Sequence, residues 1–110
     1  MSGSSSGAAA TLAHESYRTQ QVVSAAPAQL LLQLYDHAIA GALRQDQRQV
    51  NAALVELIGA LNFDYEEIAV GLFKLYDWCM RRARAKDWDE VLKILRELRA
   101  AWAQAVTAPA

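Results

Sequence analysis

The chain has 110 residues, of which 54% are hydrophobic and 21% charged, so it can form one domain with a real core and is not disordered throughout. Eleven basic and twelve acidic side chains give a formal net charge of −1, which argues against a generally basic nucleic-acid-binding protein. No apolar run reaches the roughly 18 residues that a membrane-spanning helix needs, and the N-terminus lacks the basic and apolar stretches of a secretory signal. The single cysteine, Cys79, cannot form an internal disulfide, which fits a reducing compartment. The chain is predicted to be a small cytoplasmic domain that binds no nucleic acid and does not insert into a membrane.

The two ends differ in composition from the middle of the chain. Residues 1–10 are small, polar and uncharged, so they have little to bury. We therefore expect residues 1–16 to be a flexible leader or an expression scar, residues 17–106 to be a single helical domain, and residues 107–110 to be a frayed tail.

Four segments of the middle region repeat their apolar residues with helical spacing. The segments begin near Pro27, Asp46, Asp64 and Asp87. The predicted apolar stripes are Leu30, Leu31, Leu34, Tyr35, Ala38, Ile39, Ala42 and Leu43 in the first segment, Val50, Leu54, Leu57, Ile58 and Leu61 in the second, Ile68, Leu72, Leu75, Tyr76, Cys79, Met80 and Ala83 in the third, and Val91, Leu95, Leu98, Trp102 and Ala105 in the fourth. No segment alternates with the period of a β-strand over more than a few residues. The pattern predicts an all-α protein.

Signals for helix ends delimit these segments. An aspartate that could accept from a free backbone N–H is followed three residues later by Gln or Glu in three places, Asp46/Gln49, Asp64/Glu67 and Asp87/Glu90. Pro27 is expected at the first position of the first helix, where a missing N–H is harmless. Because the links are short, neighbouring helices should be antiparallel. We predict an up-down-up-down four-helix bundle preceded by a short N-terminal arm or helix around residues 12–23.

Few residues have the spacing that catalysis or metal binding requires. Neither His14 nor His37 follows a glutamate by three residues, so no metal site and no cofactor is predicted. Cys79 lies on an apolar stripe and is interpreted as a small buried side chain. The basic residues Arg81, Arg82, Arg84 and Lys86 are expected in the last turn of the third helix, where positive charge is favourable. We therefore predict that the protein is not an enzyme.

His37 and a surplus of apolar residues leave two alternatives open. Histidine phosphotransfer domains are four-helix bundles with a helical His followed by Lys three residues on and Gly four residues on; here Gly41 fits and Ala40 does not. A solvent-exposed His37 is the simpler interpretation. Eight apolar residues lie beside the core stripes and could belong either to a wide core or to a groove for a partner helix: Leu32, Val55, Val70, Phe73, Trp78, Trp88, Leu92 and Ile94.

Two segments near the N-terminus carry a resemblance to a known family. They read YRTQQVVSAAP over residues 17–27 and LLLQLYDHA over residues 30–38. These segments resemble the signature of the flagellar export chaperone family FliS, which has an N-terminal Tyr, a Val five residues on, a T-A-S-P turn and an L-Y-D-G-A helix. Similar pieces follow in order, EIA at 67–69, LYD at 75–77, MRR at 80–82 and AW at 101–102, so the resemblance covers about residues 17–106.

The resemblance implies an antiparallel helical bundle that acts as a chaperone. Such a protein would bind the C-terminal helical segment of flagellin in apolar grooves, prevent its premature polymerisation in the cytoplasm and aid its delivery to the flagellar secretion apparatus, with the export gate as a further partner. The candidate partner-binding residues are Tyr17 and Val22 on the arm, and Leu32, Val55, Phe73 and Trp78 on the bundle. The free protein is expected to be a monomer or a weak homodimer.

The sequence departs from the family pattern in its first hairpin. Ala26 takes the place of the usual capping Ser, and His37 that of a Gly. The first two helices are each shorter than usual by about seven residues, or two turns, which makes this chain a shortened member with less surface at one end of any groove. A divergent bundle that binds another flagellar or regulatory protein is therefore the alternative function.

Overall fold

The computed structural model describes residues 27–107 and confirms an all-α four-helix arrangement there. The helices are α1, Ala28–Leu43, α2, Gln47–Gly59, α3, Glu66–Arg84, and α4, Trp88–Thr107, with a one-turn 3-10 helix at Phe63–Tyr65 before α3. The first pair of helices has 16 and 13 residues, whereas the second pair has 19 and 20. The bundle therefore consists of a short hairpin packed against a longer one.

The links within the two hairpins have the same backbone structure. Gln45 and Lys86 both have left-handed conformations, with φ values of 57° and 62°. In each link the amide of this residue donates to a carbonyl three residues back, and the next amide donates to a carbonyl five residues back, at 2.8 Å for Asp46 and 2.9 Å for Asp87. This is the Schellman arrangement, which satisfies the last free carbonyls of a helix and reverses the chain within three residues.

Two of the three predicted aspartate caps are confirmed, and one is wrong. The carboxylates of Asp46 and Asp87 accept from the backbone N–H three residues on, at 3.1 and 3.4 Å. Asp64 does not cap α3. The side chain of Asn62 instead accepts from the Asp64 amide at 3.0 Å and begins the 3-10 helix, so α3 starts after Tyr65 with no side-chain cap. The extra turn moves the start of α3 beyond Asp64.

Two further predictions about helix ends need correction. Pro27 lies at the N-cap, one residue before the first helical position. Arg81, Arg82 and Arg84 are in the last turn of α3 as predicted, but Lys86 lies beyond it, since the left-handed residue of the link has to follow the helix.

Glycine is expected to stabilise the protein at the two left-handed positions. A side chain there costs about 1–2 kcal/mol of backbone strain, whereas glycine costs about 0.5–1 kcal/mol of extra chain entropy on folding. We expect Lys86→Gly and Gln45→Gly each to raise the free energy of unfolding by about 0.5–1 kcal/mol, measured by urea denaturation. Ala85→Gly, one residue earlier with a φ of −79°, is the control and should lower stability. A loss of stability in both left-handed variants would contradict the strain argument.

Side chains from all four helices form a single hydrophobic core cluster. Leu54, Leu95 and Leu98 are completely buried within it. At its centre the hydroxyl groups of Tyr35 on α1 and Tyr76 on α3 are 2.6 Å apart, and burial raises the pKa of both phenols above their usual range. The hydrogen bond satisfies two polar groups that could not be buried alone without cost, and so it fixes how the diagonal helices face each other.

The two hairpins are also related in sequence, at a constant offset. Tyr35 and Tyr76 are 41 residues apart, and aligning residues 28–61 with 69–102 at this offset gives twelve identities in 34 positions. The identical pairs include Leu31/Leu72, Leu34/Leu75, Tyr35/Tyr76, Asp36/Asp77, Ala42/Ala83, Asp46/Asp87, Val50/Val91, Leu54/Leu95 and Leu57/Leu98. Most of these side chains are buried on both hairpins. The bundle is therefore an internal repeat in which α1 corresponds to α3 and α2 to α4.

Candidate docking surface

The structure divides the eight surplus apolar residues into three groups. Ile94 is only 6% exposed and belongs to the core, which is the wide-core alternative for this residue. Leu32, Trp88 and Leu92 are half-buried and pack against the core, and Val70 is half-buried on α3. The exposed ones are Val55, Phe73 and Trp78, at 58%, 39% and 42%. Tyr17 and Val22 lie outside the described residues.

Phe73 lies on the flank of α3 that faces α2. The guanidinium of Arg82 lies 3.7 Å from the carboxylate of Asp87, which caps α4, so Arg82 marks the α4 side of α3. Successive helical residues are rotated by about 100°, so Phe73 is about 180° from Arg82 around the axis of α3. It therefore lies on the opposite flank, next to α2.

Val55 lies on the outer face of α2. The side chain of Gln49 donates to the backbone carbonyl of His37 on α1 at 2.9 Å, which marks the α1 side of this helix. Asn51 is about 160° from Gln49 around the axis, so it lies on the flank away from α1. Val55 is about 100–160° from the buried Val50, Leu54 and Leu57 and therefore points away from the core. We call the surface between Asn51 and Phe73 the α2–α3 seam.

Trp78 belongs to a different surface of the bundle. It is about 140° from Phe73 around α3, on the side of α4. The guanidinium of Arg82 stacks 4.6 Å from the centre of the indole ring, and the same arginine lies 3.7 Å from the carboxylate of Asp87. The exposed tryptophan is therefore already covered in part by a cation from its own helix.

Leu32 lies on a third surface, between α1 and α4. Asp36, one turn further along α1, binds Arg99 of α4 through two contacts of 2.5 and 3.3 Å, which shows that this flank of α1 faces α4. Both side chains are partly exposed, so the ion pair lies at the outer edge of the contact. The four candidate residues on the bundle consequently lie on separate surfaces and do not line one groove.

The structure places His37 and Cys79 where the simpler interpretations of the sequence expected them. His37 is exposed on α1, and Cys79 is completely buried. Among residues 27–107, no group of His, Cys, Asp or Glu side chains is arranged to hold a metal ion, and no helix in this part of the chain is both long and apolar enough to cross a bilayer.

Four other large apolar residues are exposed: Leu30, Leu43, Phe63 and Tyr65 are between 41% and 58% exposed. The prediction that Leu30 and Leu43 belong to the buried stripe of the first helix is wrong, because each is about 100° around the axis from its buried neighbour, Leu31 or Ala42, and so lies at the edge of the stripe. Phe63 and Tyr65 belong to the 3-10 turn, whose short length gave no periodic signal. A shallow depression on the outer face of α3 is lined by Glu66, Glu67, Val70, Gly71 and Lys74, and its acidic end coincides with the start of the helix.

The fold is a four-helix bundle with several large apolar side chains exposed on its outer surface. A family model described as Flagellar protein FliS matches residues 43–109, from the end of α1 through α4. Because the match covers more than half of the chain, the protein belongs to the FliS family, a family of flagellar chaperones. The motifs at residues 17–27 and 30–38 lie outside the matched range. The chain has no significant match among curated proteins or solved structures.

Proposed function

We propose that the protein is a cytoplasmic export chaperone that binds the C-terminal helical segment of flagellin. The observation that supports this function is the presence of large apolar side chains on the outer surface of a FliS-family bundle, above all Val55, Phe73 and Trp78. A client that is disordered alone and folds on its partner has to bury much apolar surface to offset the entropy lost on ordering. Exposed apolar seams provide that surface.

Binding would keep flagellin from polymerising before export. A chaperone that covers the C-terminal helical segment of flagellin would withhold the client from polymerisation until delivery to the secretion apparatus. Tyr17 and Val22 on the arm, with Leu32 on the bundle, are further proposed contacts. The export gate is the proposed second partner, and the free chaperone is proposed to be a monomer or a weak homodimer.

Calorimetric titration tests this function directly. The probe is a peptide that covers the last helices of flagellin from the same organism, titrated into the purified chain at several temperatures. We expect saturable binding with a negative heat-capacity change, because apolar surface is buried. A double substitution on both exposed flanks, Phe73→Asp with Trp78→Asp, should weaken binding strongly.

Two controls make the result specific. A peptide of the same composition in scrambled order should not bind, and His37→Gln, at an exposed position on α1, should bind as the wild type does. Absence of binding to the wild type at about 50 µM, a concentration that detects even weak complexes, would reject flagellin as the client.

A further inference from the structure

The contact between the two hairpins has the form of an interface between two copies of one molecule. Tyr35 on α1 and Tyr76 on α3 are counterparts in the repeat, and their hydroxyl groups meet 2.6 Å apart in the core. In a twofold symmetric dimer, a residue on the axis contacts its own copy in the same way. The hairpins are therefore arranged about an approximate twofold axis, and the bundle consists of two equivalent halves joined by one link.

Each hairpin is closed by contacts of its own. The Schellman links and the caps formed by Asp46 and Asp87 each lie within one hairpin. In the first hairpin, the side chain of Gln49 also donates to the backbone carbonyl of His37, and α1 approaches α2 closely at Gly41. These contacts do not depend on the other hairpin, so each hairpin can move as a unit.

The link between the hairpins is held by local contacts. It runs over residues 60–65, from the end of α2 to the start of α3, and the hydrogen bonds described there join residues at most four positions apart. Leu61 packs partly against the core, whereas Phe63 and Tyr65 are 48% and 41% exposed. The helix that follows starts without a side-chain cap. A change of direction at this link therefore breaks few contacts.

We propose that the chain exchanges hairpins with a second copy of itself. In the exchanged dimer, α1 and α2 of each chain pack on α3 and α4 of the other chain, and the link extends from one bundle to the other. Every contact between hairpins is kept and is made between chains, so the exchange alters the link and little else. The inference is independent of flagellin binding and gives the proposed homodimer a specific interface.

The length of the link sets the protein concentration at which exchange occurs. A short link keeps the two hairpins of one chain at an effective concentration on the order of 1 mM for each other. A second copy competes as the chain approaches this concentration, so we expect the exchanged dimer to be readily detected at about 0.5 mM and nearly absent at about 10 µM. Because the hairpins must separate and expose the core before they exchange, the two forms interconvert slowly unless urea is present.

Charge reversal at an ion pair between the hairpins distinguishes exchange from an ordinary surface dimer. Asp36 on the first hairpin binds Arg99 on the second, so Asp36→Arg and Arg99→Asp each bring like charges together within one chain. In a mixed exchanged dimer, one bundle combines the two substituted positions and the other the two native ones, so both bundles have opposite charges. We expect the association constant of the mixed dimer to exceed that of either variant with itself by about tenfold or more.

Sedimentation velocity and native mass spectrometry measure this preference. The two variants are mixed at high concentration, exposed briefly to urea at the midpoint of unfolding and returned to buffer, and the masses identify the chains in each dimer. The side chains of Asp36 and Arg99 are 56% and 37% exposed, so their reversal should leave the bundle folded, as circular dichroism of each variant checks.

The matched control places both reversals on one hairpin. Asp77 is the counterpart of Asp36 in the repeat, but it lies on the same hairpin as Arg99 and binds Arg81 of its own helix at 3.1 Å. A mixture of Asp77→Arg with Arg99→Asp should therefore form mixed dimers no more often than chance.

Each outcome either supports or overturns the exchange. A preference for mixed dimers in the first mixture alone, with a wild-type dimer that persists after dilution, supports it. Dimers of statistical composition in the first mixture would show that the chains associate through another surface, and a preference in the control mixture would show that the second hairpins pair with each other. Either result, or the absence of dimers from both the wild type and the first mixture, would overturn the inference.

Discussion

Truncation of Leu54 to alanine is expected to lower the free energy of unfolding by about 2–5 kcal/mol, the range for a buried leucine whose cavity cannot collapse. Leu54 on α2 and its counterpart Leu95 on α4 are both 0% exposed. Because the repeat gives the two residues equivalent surroundings, Leu95→Ala should cost nearly the same. Urea denaturation followed by circular dichroism measures both values.

An exposed leucine serves as the control for these two truncations, and the comparison between them tests the equivalence of the hairpins. Leu43→Ala, at a residue that is 58% exposed, should change stability by less than about 0.5 kcal/mol. If Leu54→Ala and Leu95→Ala differ by several kcal/mol, the two hairpins do not contribute equally to the core, and the equivalence inferred from the repeat fails at the level of energetics.

Substitution of Gly41 is expected to separate the helices of the first hairpin. A Cβ atom at this position would lie 3.0 Å from Cγ and 3.1 Å from Cβ of Gln49, and 3.2 Å from a methyl group of Val50. Valine at position 41 would add further atoms in this contact, so we expect Gly41→Val to lower the free energy of unfolding by about 1–3 kcal/mol or more. Thermal and urea denaturation both report this loss.

Gly59 supplies the matched control. It also lies in the first hairpin, and a Cβ there would meet nothing within 4 Å. Gly59→Ala should therefore be neutral or stabilising by up to about 1 kcal/mol, as helix propensity predicts. In Gly41→Ala, the same gain in helix propensity is opposed by the close contact of the new Cβ atom with Gln49 and Val50. If Gly41→Val were as stable as the wild type, α1 and α2 would have to adjust freely, and the close approach would have no structural importance.

The helical periodicity and two of the three aspartate caps were predictable from the sequence. The apolar residues recur every three to four positions, and this period predicts which side of each helix is buried irrespective of the partner. Asp46 and Asp87 were identified as caps because an N-cap depends on contacts within one turn. Asp64 has the same local pattern, but the 3-10 turn begun by Asn62 replaces it. A local signal cannot choose between two competing caps that are only two residues apart.

The repeat was present in the sequence, although helical periodicity alone did not reveal it. Leu34-Tyr35-Asp36 and Leu75-Tyr76-Asp77 are identical, and each is followed by an aspartate cap at the same distance. What indicates that the two tyrosines are equivalent is their contact across the core. Internal comparison of the chain at one fixed offset would have been the signal for it.

Only the tertiary structure decided which apolar residues are available to a partner. From the sequence, Phe73, Trp78 and Ile94 all lie beside the core stripes, yet Ile94 is buried, Trp78 is stacked by an arginine and Phe73 is 39% exposed. The sequence determined the helices, most of their ends and the inward faces, since these depend on residues within a few turns. Exposure on the flanks depends on the side chains of the neighbouring helix, such as Asn51 where the other half has Leu92, and these are brought together only when the bundle forms.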